Sequence, residues 1–260
     1  MIERNLLKIM LQRAAKRNIK SYPQMVCFSH DTISQKIFID GLFEKRELFA
    51  LKAFLDEELN SFESCLDIGA NIGNHSLFFS NIFQRVLSFE PNQETFRLLA
   101  INAGLANNIR AVNVGLGSKS ATLAASFDPL NRGGAAISES SDANLTFEII
   151  ALDDYLSETD EVVISFIKMD VEGHELEALK GAVTTLKKYC PVLALELHAK
   201  KEPAKSLEIL SFLDHNGYKH AHVFEANFFS QRKPRFVKSS LNQFGRLLKK
   251  NHKMVLFTAH

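Results

Sequence analysis

Between residues 66 and 74 the chain reads Leu66-Asp67-Ile68-Gly69-Ala70-Asn71-Ile72-Gly73-Asn74, a turn placed where a short apolar run gives way to a helical pattern. Gly69 and Gly73 let the backbone bend tightly beneath a ligand. A dinucleotide fingerprint carries a further glycine between them so that a pyrophosphate can approach the backbone; here Asn71 holds that place. Asp67, at the tip of the strand, would repel a phosphate and welcome an ammonium group. Further on, Phe89-Glu90-Pro91-Asn92 sets a carboxylate at the tip of a second strand, where it can hold both hydroxyls of a ribose. The two features together describe an adenosine with a cationic amino-acid end. S-adenosylmethionine has those parts, and Asn71 argues against NAD and FAD.

A second constellation follows. Asp170, Glu172, His174 and Glu175 come after an apolar run that reads as a fourth strand, and Glu196-Leu197-His198 closes a fifth. In an open α/β sheet the ligand lies beyond the carboxyl ends of the strands, which aims Asp170 at the cofactor's methyl. Strand alternation puts Glu196 and His198 on one face and Leu197 on the other. Methyl transfer from a sulfonium is an in-line displacement, so the protein mainly has to align the reactants, which supplies roughly 7–11 kcal/mol. An alcohol acceptor must also lose a proton. His198 or His174 is a candidate general base. Alternatively, Asp170 and Glu196 hold Mg²⁺, which acidifies a bound hydroxyl; the hard ligands are few, and the metal-free route is favoured. Glu172 and Glu175 would also suit the positive end of a helix. His75, His215, His220, His222 and His252 lack such a setting and read as surface or helix positions.

Taken together these stretches resemble the FkbM family of class I methyltransferases. The residues that carry the resemblance are Leu66 to Gly73, Ser88 to Asn92, Ala151-Leu152-Asp153-Asp154, the run Ile167-Lys168-Met169-Asp170-Val171-Glu172-Gly173-His174-Glu175, and Pro191 to Glu196. Gly41-Leu42-Phe43-Glu44 is similar to the G-x-x-E that precedes the core in that family. The resemblance spans about residues 30–200. It implies that Asp67, Gly69, Asn71 and Gly73, with Ala70 and Asn74 beside them, hold the methionine end. Glu90, with Asn92, would hold the ribose, Leu116 would flank the adenine, and Asp170 would meet the reacting end. The implied acceptor is a hydroxyl on a sugar, a glycan or a secondary metabolite.

These residues need a scaffold of alternating strands and helices. Strands are expected at 65–68, 85–89, 109–114, 162–169, 192–197, 218–224 and 254–258, with helices over 74–83, 93–104, 175–188 and 204–216. Short apolar strands separated by helices imply a parallel sheet covered on both faces. The expected fold is a Rossmann-like, doubly wound, mostly parallel sheet of about seven strands whose last strand runs antiparallel at the end. Upstream, residues 2–16 and 44–59 have helical periodicity, and Ser29 to Asp40 reads as a short hairpin through alternating Ile33, Ile37 and Ile39. Asp128 to Asn144, rich in Gly, Ser and Asn, reads as a long loop. Residues 1–60 are thus expected to form a helical and hairpin segment packed on or capping a methyltransferase domain at 61–260.

The chain has 260 residues, and 46% of them are hydrophobic, enough for a sizeable core. With 31 Lys plus Arg against 30 Asp plus Glu, it is not an electrostatic nucleic-acid binder as a whole. Basic charge gathers at the ends: Arg4, Lys8, Arg13, Lys16, Arg17 and Lys20 near the start, and a run free of acids after Glu225. The first helix is expected to pack on the domain, while peripheral contact with an anionic membrane is the alternative. A non-catalytic cofactor-binding domain that docks through its basic ends is the competing function. Cys27, Cys65 and Cys190 are scattered, as reduced thiols would be, and no apolar run is long enough to span a bilayer; a cytoplasmic location is expected.

Overall fold

A computed structural model describes residues 2–128, 131–137, 145–159, 162–226, 234–240 and 250–259. The first part of the chain forms α1 (Ile2–Asn18), α2 (Thr32–Asp40), α3 (Lys45–Glu58), β1 (Ser64–Ile68), α4 (Asn74–Phe79), β2 (Arg85–Phe89), α5 (Gln93–Ala103) and β3 (Ile109–Val112). There follow β4 (Gly115–Leu116), β5 (Ala121–Asp128), β6 (Asn131–Ile137), β7 (Leu145–Ile150), α6 (Leu152–Ser157) and β8 (Ile164–Met169). The remainder forms α7 (Glu175–Lys180), α8 (Val183–Tyr189), β9 (Val192–Leu197), α9 (Pro203–His215), β10 (His220–Glu225), β11 (Arg235–Ser240) and β12 (His252–Thr258).

Eight strands make the main sheet, in the order β11-β10-β12-β9-β8-β1-β2-β3. The run β9-β8-β1-β2-β3 is parallel, as the strand–helix alternation requires. Its middle is buried on both faces, and strand parity divides the side chains between two cores. Leu66, Ile68, Leu87, Phe89, Ile167 and Leu193 face one core with Leu179, Leu186 and Leu210 from the following helices. Cys65, Val86, Phe166 and Ala194 face the other, against Leu48, Leu51 and Leu55 of α3 and Phe79 of α4. Strand order reverses at β1, with β2 on one side and β8 on the other. A crevice therefore opens beyond the carboxyl ends of these strands.

Four sequence expectations are corrected. The last strand is antiparallel, but it is not at the end of the sheet: β12 inserts between β9 and β10 and runs against both. β11 then pairs with β10 as the outermost of the eight strands. Residues 29–40 form a helix rather than a hairpin. Asp31 caps α2 by accepting from the Ile33 and Ser34 N–H groups at 3.0 and 3.2 Å, and Gly41 ends it with φ +82°. The spacing of Ile33 and Ile37 suits a helical face as well as a strand, and the caps decide between them. Asp128 to Asn144 is not simply a loop, since β6 occupies part of it; residues 129, 130 and 138–144 lie outside the described residues. With β4, β5 and β7, β6 forms a second, four-stranded sheet. The helix expected over 175–188 is two, α7 and α8, divided at Gly181, where a Cβ would stand 1.9 Å from the Gly117 carbonyl oxygen.

Helix α1 forms as expected but touches the rest chiefly through its last turns. Asn18 Nδ2 donates to the Phe38 and Ile39 carbonyls at 3.3 and 3.1 Å, and Arg17 also donates to Ile39. Leu6, Leu7, Ile9, Met10 and Leu11 are exposed.

Candidate active site

The turn after β1 shapes the crevice. Gly69 and Ala70 donate backbone N–H groups to the Phe89 carbonyl at 3.0 and 2.9 Å, which closes the turn over β2. Gly69 has φ +74°, and a Cβ there would lie 1.9 Å from the Asp170 carbonyl oxygen. Only glycine lets the two strand ends approach so closely. Asn71 adopts φ +51°, a left-handed conformation that Asn tolerates better than most residues.

The resulting cavity measures about 470 Å³. On one side it is walled by the turn, by Glu90 and by Leu116, Phe147 and Ile149 of the second sheet. Glu90 is buried and doubly held: Oε2 accepts from the Asn71 N–H at 3.0 Å and Oε1 from the Asn92 N–H at 2.9 Å. Burial pushes its carboxyl up to about 7 against the pull of those two donors and of Lys168. A carboxylate with fixed oxygens beside an apolar wall fits a ribose carrying a flat base.

Beneath the turn lies a buried polar network. Asp67 Oδ2 accepts from Ser76 Oγ at 2.6 Å, and Ser88 Oγ donates to Ser76 Oγ at 2.9 Å. Lys168 Nζ stands 3.4 Å from Asp67 Oδ1 and 3.6 Å from Asp170 Oδ2, and donates to the Gly69 carbonyl at 3.1 Å. Burial alone would lower the lysine's pKa, but Asp67, Asp170 and Glu44 outweigh it and hold the ammonium charged.

Acids gather at the tips of β8 and β9. Asp170, Glu172, His174 and Glu196 line the cavity. Burial and the adjacent Asp170 carboxyl hold Glu196 protonated well above the usual carboxylate range. Its Oε2 is 3.7 Å from His198 Nε2. Burial lowers His174. Buried Glu175 accepts from the Gly173 N–H at 3.0 Å, so it serves the turn before α7. Among the described residues no group of three or more His, Cys, Asp and Glu side chains is set to hold a metal ion.

The opposite wall comes from α2, the segment before α3, α4 and β12: Ile33, Lys36, Phe43, Glu44, His75 and Lys253. Asn74 pins this segment, accepting from the Phe43 N–H at 3.0 Å and donating to the Phe43 carbonyl at 3.2 Å. Lys36 and Lys253 place their ammonium groups 5.5 and 5.9 Å from the centre of the Phe43 ring.

Of the residues singled out from sequence, Gly69, Ala70, Asn71, Asn74, Glu90, Leu116, Asp170, His174 and Glu196 line one cavity. Asp67, Gly73, Asn92 and His198 are not among its lining residues. Asp67 is fully enclosed and engages Lys168 and Ser76, Gly73 starts α4 with φ +89°, and Asn92 caps α5 and orients Glu90. Sequence reasoning quoted Glu44 and Lys168 within the family stretches without giving either a place in the site, and it missed His75. His75 is on a helix as expected but is buried, not on the surface. Its position in the first turn after the glycine-rich run was the available signal.

A family model described as the methyltransferase FkbM domain matches residues 67–220. Among characterised proteins, the chain is similar to the hexuronic acid methyltransferase AglP of Haloferax volcanii, 31% identical over 156 residues that cover 60% of this chain and 64% of that protein. It is also similar to methyltransferase 1 of Beauveria bassiana, 27% identical over 174 residues, covering 57% of this chain and 66% of the relative. The matches thus span just under two thirds of these two relatives. Among solved structures, a methyltransferase FkbM from Methylobacillus flagellatus KT aligns at 17% identity and a TM-score of 0.49, covering 98% of this chain and 59% of that one.

Proposed function

Because the chain belongs to the FkbM methyltransferase family, we propose that it moves the methyl group of S-adenosylmethionine to a hydroxyl of a sugar, glycan or secondary metabolite. The observation that carries this reading is Glu90, fixed by two backbone donors on the wall of a cavity that also has an apolar side. The sulfonium, when bound, supplies an activated methyl group that needs little more than alignment. Glu90 takes the ribose hydroxyls, while Leu116 and Ile149 cover the base. Gly69, Ala70, Asn71 and Asn74 hold the amino-acid end, and Lys168 fixes the floor on which Asp170 sits. Asp170 and Glu196 form the carboxyl edge beside the methyl, flanked by His174, with His198 behind Glu196.

The acceptor enters along the opposite wall. A hexuronic acid, the class in the name of the Haloferax volcanii relative, suits this wall: Lys36 and Lys253 offer two cations to a carboxylate. In this reading residues 1–60 cap the domain at 61–260 and supply part of the acceptor wall, and three free, scattered cysteines suit a reducing cytoplasm. The test is thermal: S-adenosylmethionine and S-adenosylhomocysteine should raise the melting temperature, and NAD and NADP should not. Stabilisation by NAD alone would overturn the assignment of the cofactor.

A further inference from the structure

Two polar side chains of the cavity, one buried and one half-buried, are left unused by that assignment. His75 is buried on α4, and its Nε2 has no hydrogen-bond partner among the described residues. Glu44 Oε2 lies 3.5 Å from that nitrogen. Both groups line the cavity, within reach of the charges of Lys168 and Asp170 at β8. The separation is too long for a good hydrogen bond between them, and His75 Nε2 is closed off from the cavity, so His75 backs the Glu44 carboxylate while Glu44 faces the open space.

The backbone at Glu44 points the same way. It has φ +53° and ψ +36°, a left-handed conformation that a non-glycine residue rarely adopts. Glu44 is the N-cap residue of α3 and its carbonyl accepts from the Leu48 N–H at 2.9 Å, but its side chain makes no capping hydrogen bond and is left to face the cavity. Asn74 holds the segment in place, and Lys253 Nζ, 3.5 Å from Glu44 Oε1, steadies the second oxygen. Strain of this kind persists where the side chain's aim matters.

We propose that Glu44 is the general base for the acceptor hydroxyl and that His75, packed behind it, positions the Glu44 carboxylate. The proposal rests on the reading of the cavity as a methyltransferase site. The hydroxyl proton passes to Glu44 Oε2 as the acceptor oxygen bonds to the methyl carbon, and the electron pair of the breaking sulfur–carbon bond stays on sulfur. A sulfonium and a carboxylate become a thioether and a carboxylic acid. Two opposite charges in a buried cavity are thereby cancelled, which a low-dielectric site favours. Burial raises the Glu44 carboxyl above its usual range, with Lys253 opposing, which improves it as a base. His75 is kept neutral, lowered to about 3 by burial and then by Lys168.

The test uses the full chain and four proteins: wild type, Glu44→Gln, His75→Gln and His75→Asn. Calorimetry with S-adenosylmethionine and S-adenosylhomocysteine needs no acceptor. Glu44→Gln should bind the neutral product within about twofold of wild type while its preference for the charged cofactor falls several-fold. The His75 variants should keep that preference. An unchanged preference in Glu44→Gln overturns the proposal; binding of neither ligand by wild type contradicts the methyltransferase reading instead. With glucuronic acid, glucose and a 4-nitrophenyl glucuronide as acceptors, turnover by Glu44→Gln should drop roughly 10²–10⁴-fold. The wild-type rate should climb with pH as Glu44 ionises, a limb that Glu44→Gln loses and His75→Gln retains at a lower rate. The charged and titratable groups facing Glu44 are His75 on α4, Lys168 and Asp170 at β8, Lys253 on β12 and Glu47 on α3. Near-wild-type turnover by Glu44→Gln with any acceptor the wild type methylates overturns the proposal.

Discussion

Asp67 and Lys168 stand opposite each other in register on β1 and β8, with Oδ1 and Nζ 3.4 Å apart and both side chains enclosed. The same ammonium reaches the Gly69 carbonyl and lies near Asp170, so one charge ties the glycine turn to the acid at the tip of β8. Removing one member of a buried pair leaves the other uncompensated. Lys168→Met should therefore destabilise the fold by roughly 3–5 kcal/mol in urea unfolding, and adding Asp67→Asn should recover part of the loss. A Lys168→Met protein as stable as its parent would show that the network is solvated.

Glu90 gives the site a pH dependence with a definite sign. Its folded carboxyl sits at about 7, while the unfolded one titrates near the ordinary value of roughly 4.3. Between those values the folded chain binds more protons than the unfolded one, so this group's contribution to stability falls as pH rises through the window. Ribose hydroxyls donate to the ionised form, so the nucleoside draws the proton off. Affinity for S-adenosylhomocysteine should rise with pH and level off above about 7. Binding below that point should release protons, measurable by calorimetry in buffers of different ionisation heat. Glu90→Gln should remove both effects, and an affinity flat across this range in wild type would contradict the assignment.

The close approach at Gly69 is tested by Gly69→Ala. With the added Cβ 1.9 Å from the Asp170 carbonyl oxygen and φ at +74°, backbone must move. A loss of more than about 2 kcal/mol is expected in thermal unfolding, together with loss of S-adenosylhomocysteine binding. A variant that melts with wild type and binds normally would show the turn to be looser than its geometry.

The glycine turn and Glu90 that wall one side of the crevice were legible in the sequence because they are local: a turn, then an acid at the next strand tip, each in register with its own strand. The parallel core was legible for the same reason, through buried apolar runs such as Ile164–Met169. The second sheet was not, because Asn131–Ile137 has no alternating β-branched residues and becomes a strand only by pairing with β5. Likewise β12 shows its strand pattern but not its place between β9 and β10, which is a tertiary fact. Glu44 and His75 are separated by the whole of α3 and β1, and no spacing rule joins them. Asp67 reads as a ligand for an ammonium, and it is one, though the ammonium belongs to Lys168.

Helix α1 was expected to pack on the domain, yet apart from Ala14 and Asn18 its described residues are exposed. Deleting residues 2–18 should lower the melting temperature by no more than about 2–4 °C, the equivalent of roughly 1 kcal/mol. Binding to phosphatidylserine vesicles before and after deletion then reports whether the basic, apolar helix meets a membrane. A large loss of stability would restore the packed reading.

Methyl transfer itself is tested most directly by incubating the chain with methyl-labelled S-adenosylmethionine and a panel of uronic acids, neutral sugars and hydroxylated metabolites. S-adenosylhomocysteine should form in step with label in one acceptor class, and Glu90→Ala should weaken cofactor binding by one to two decades, as loss of charge-assisted hydrogen bonds worth roughly 1.5–3 kcal/mol requires. Tight binding of S-adenosylmethionine with no S-adenosylhomocysteine from any acceptor would contradict the enzyme and leave a cofactor-binding domain in its place.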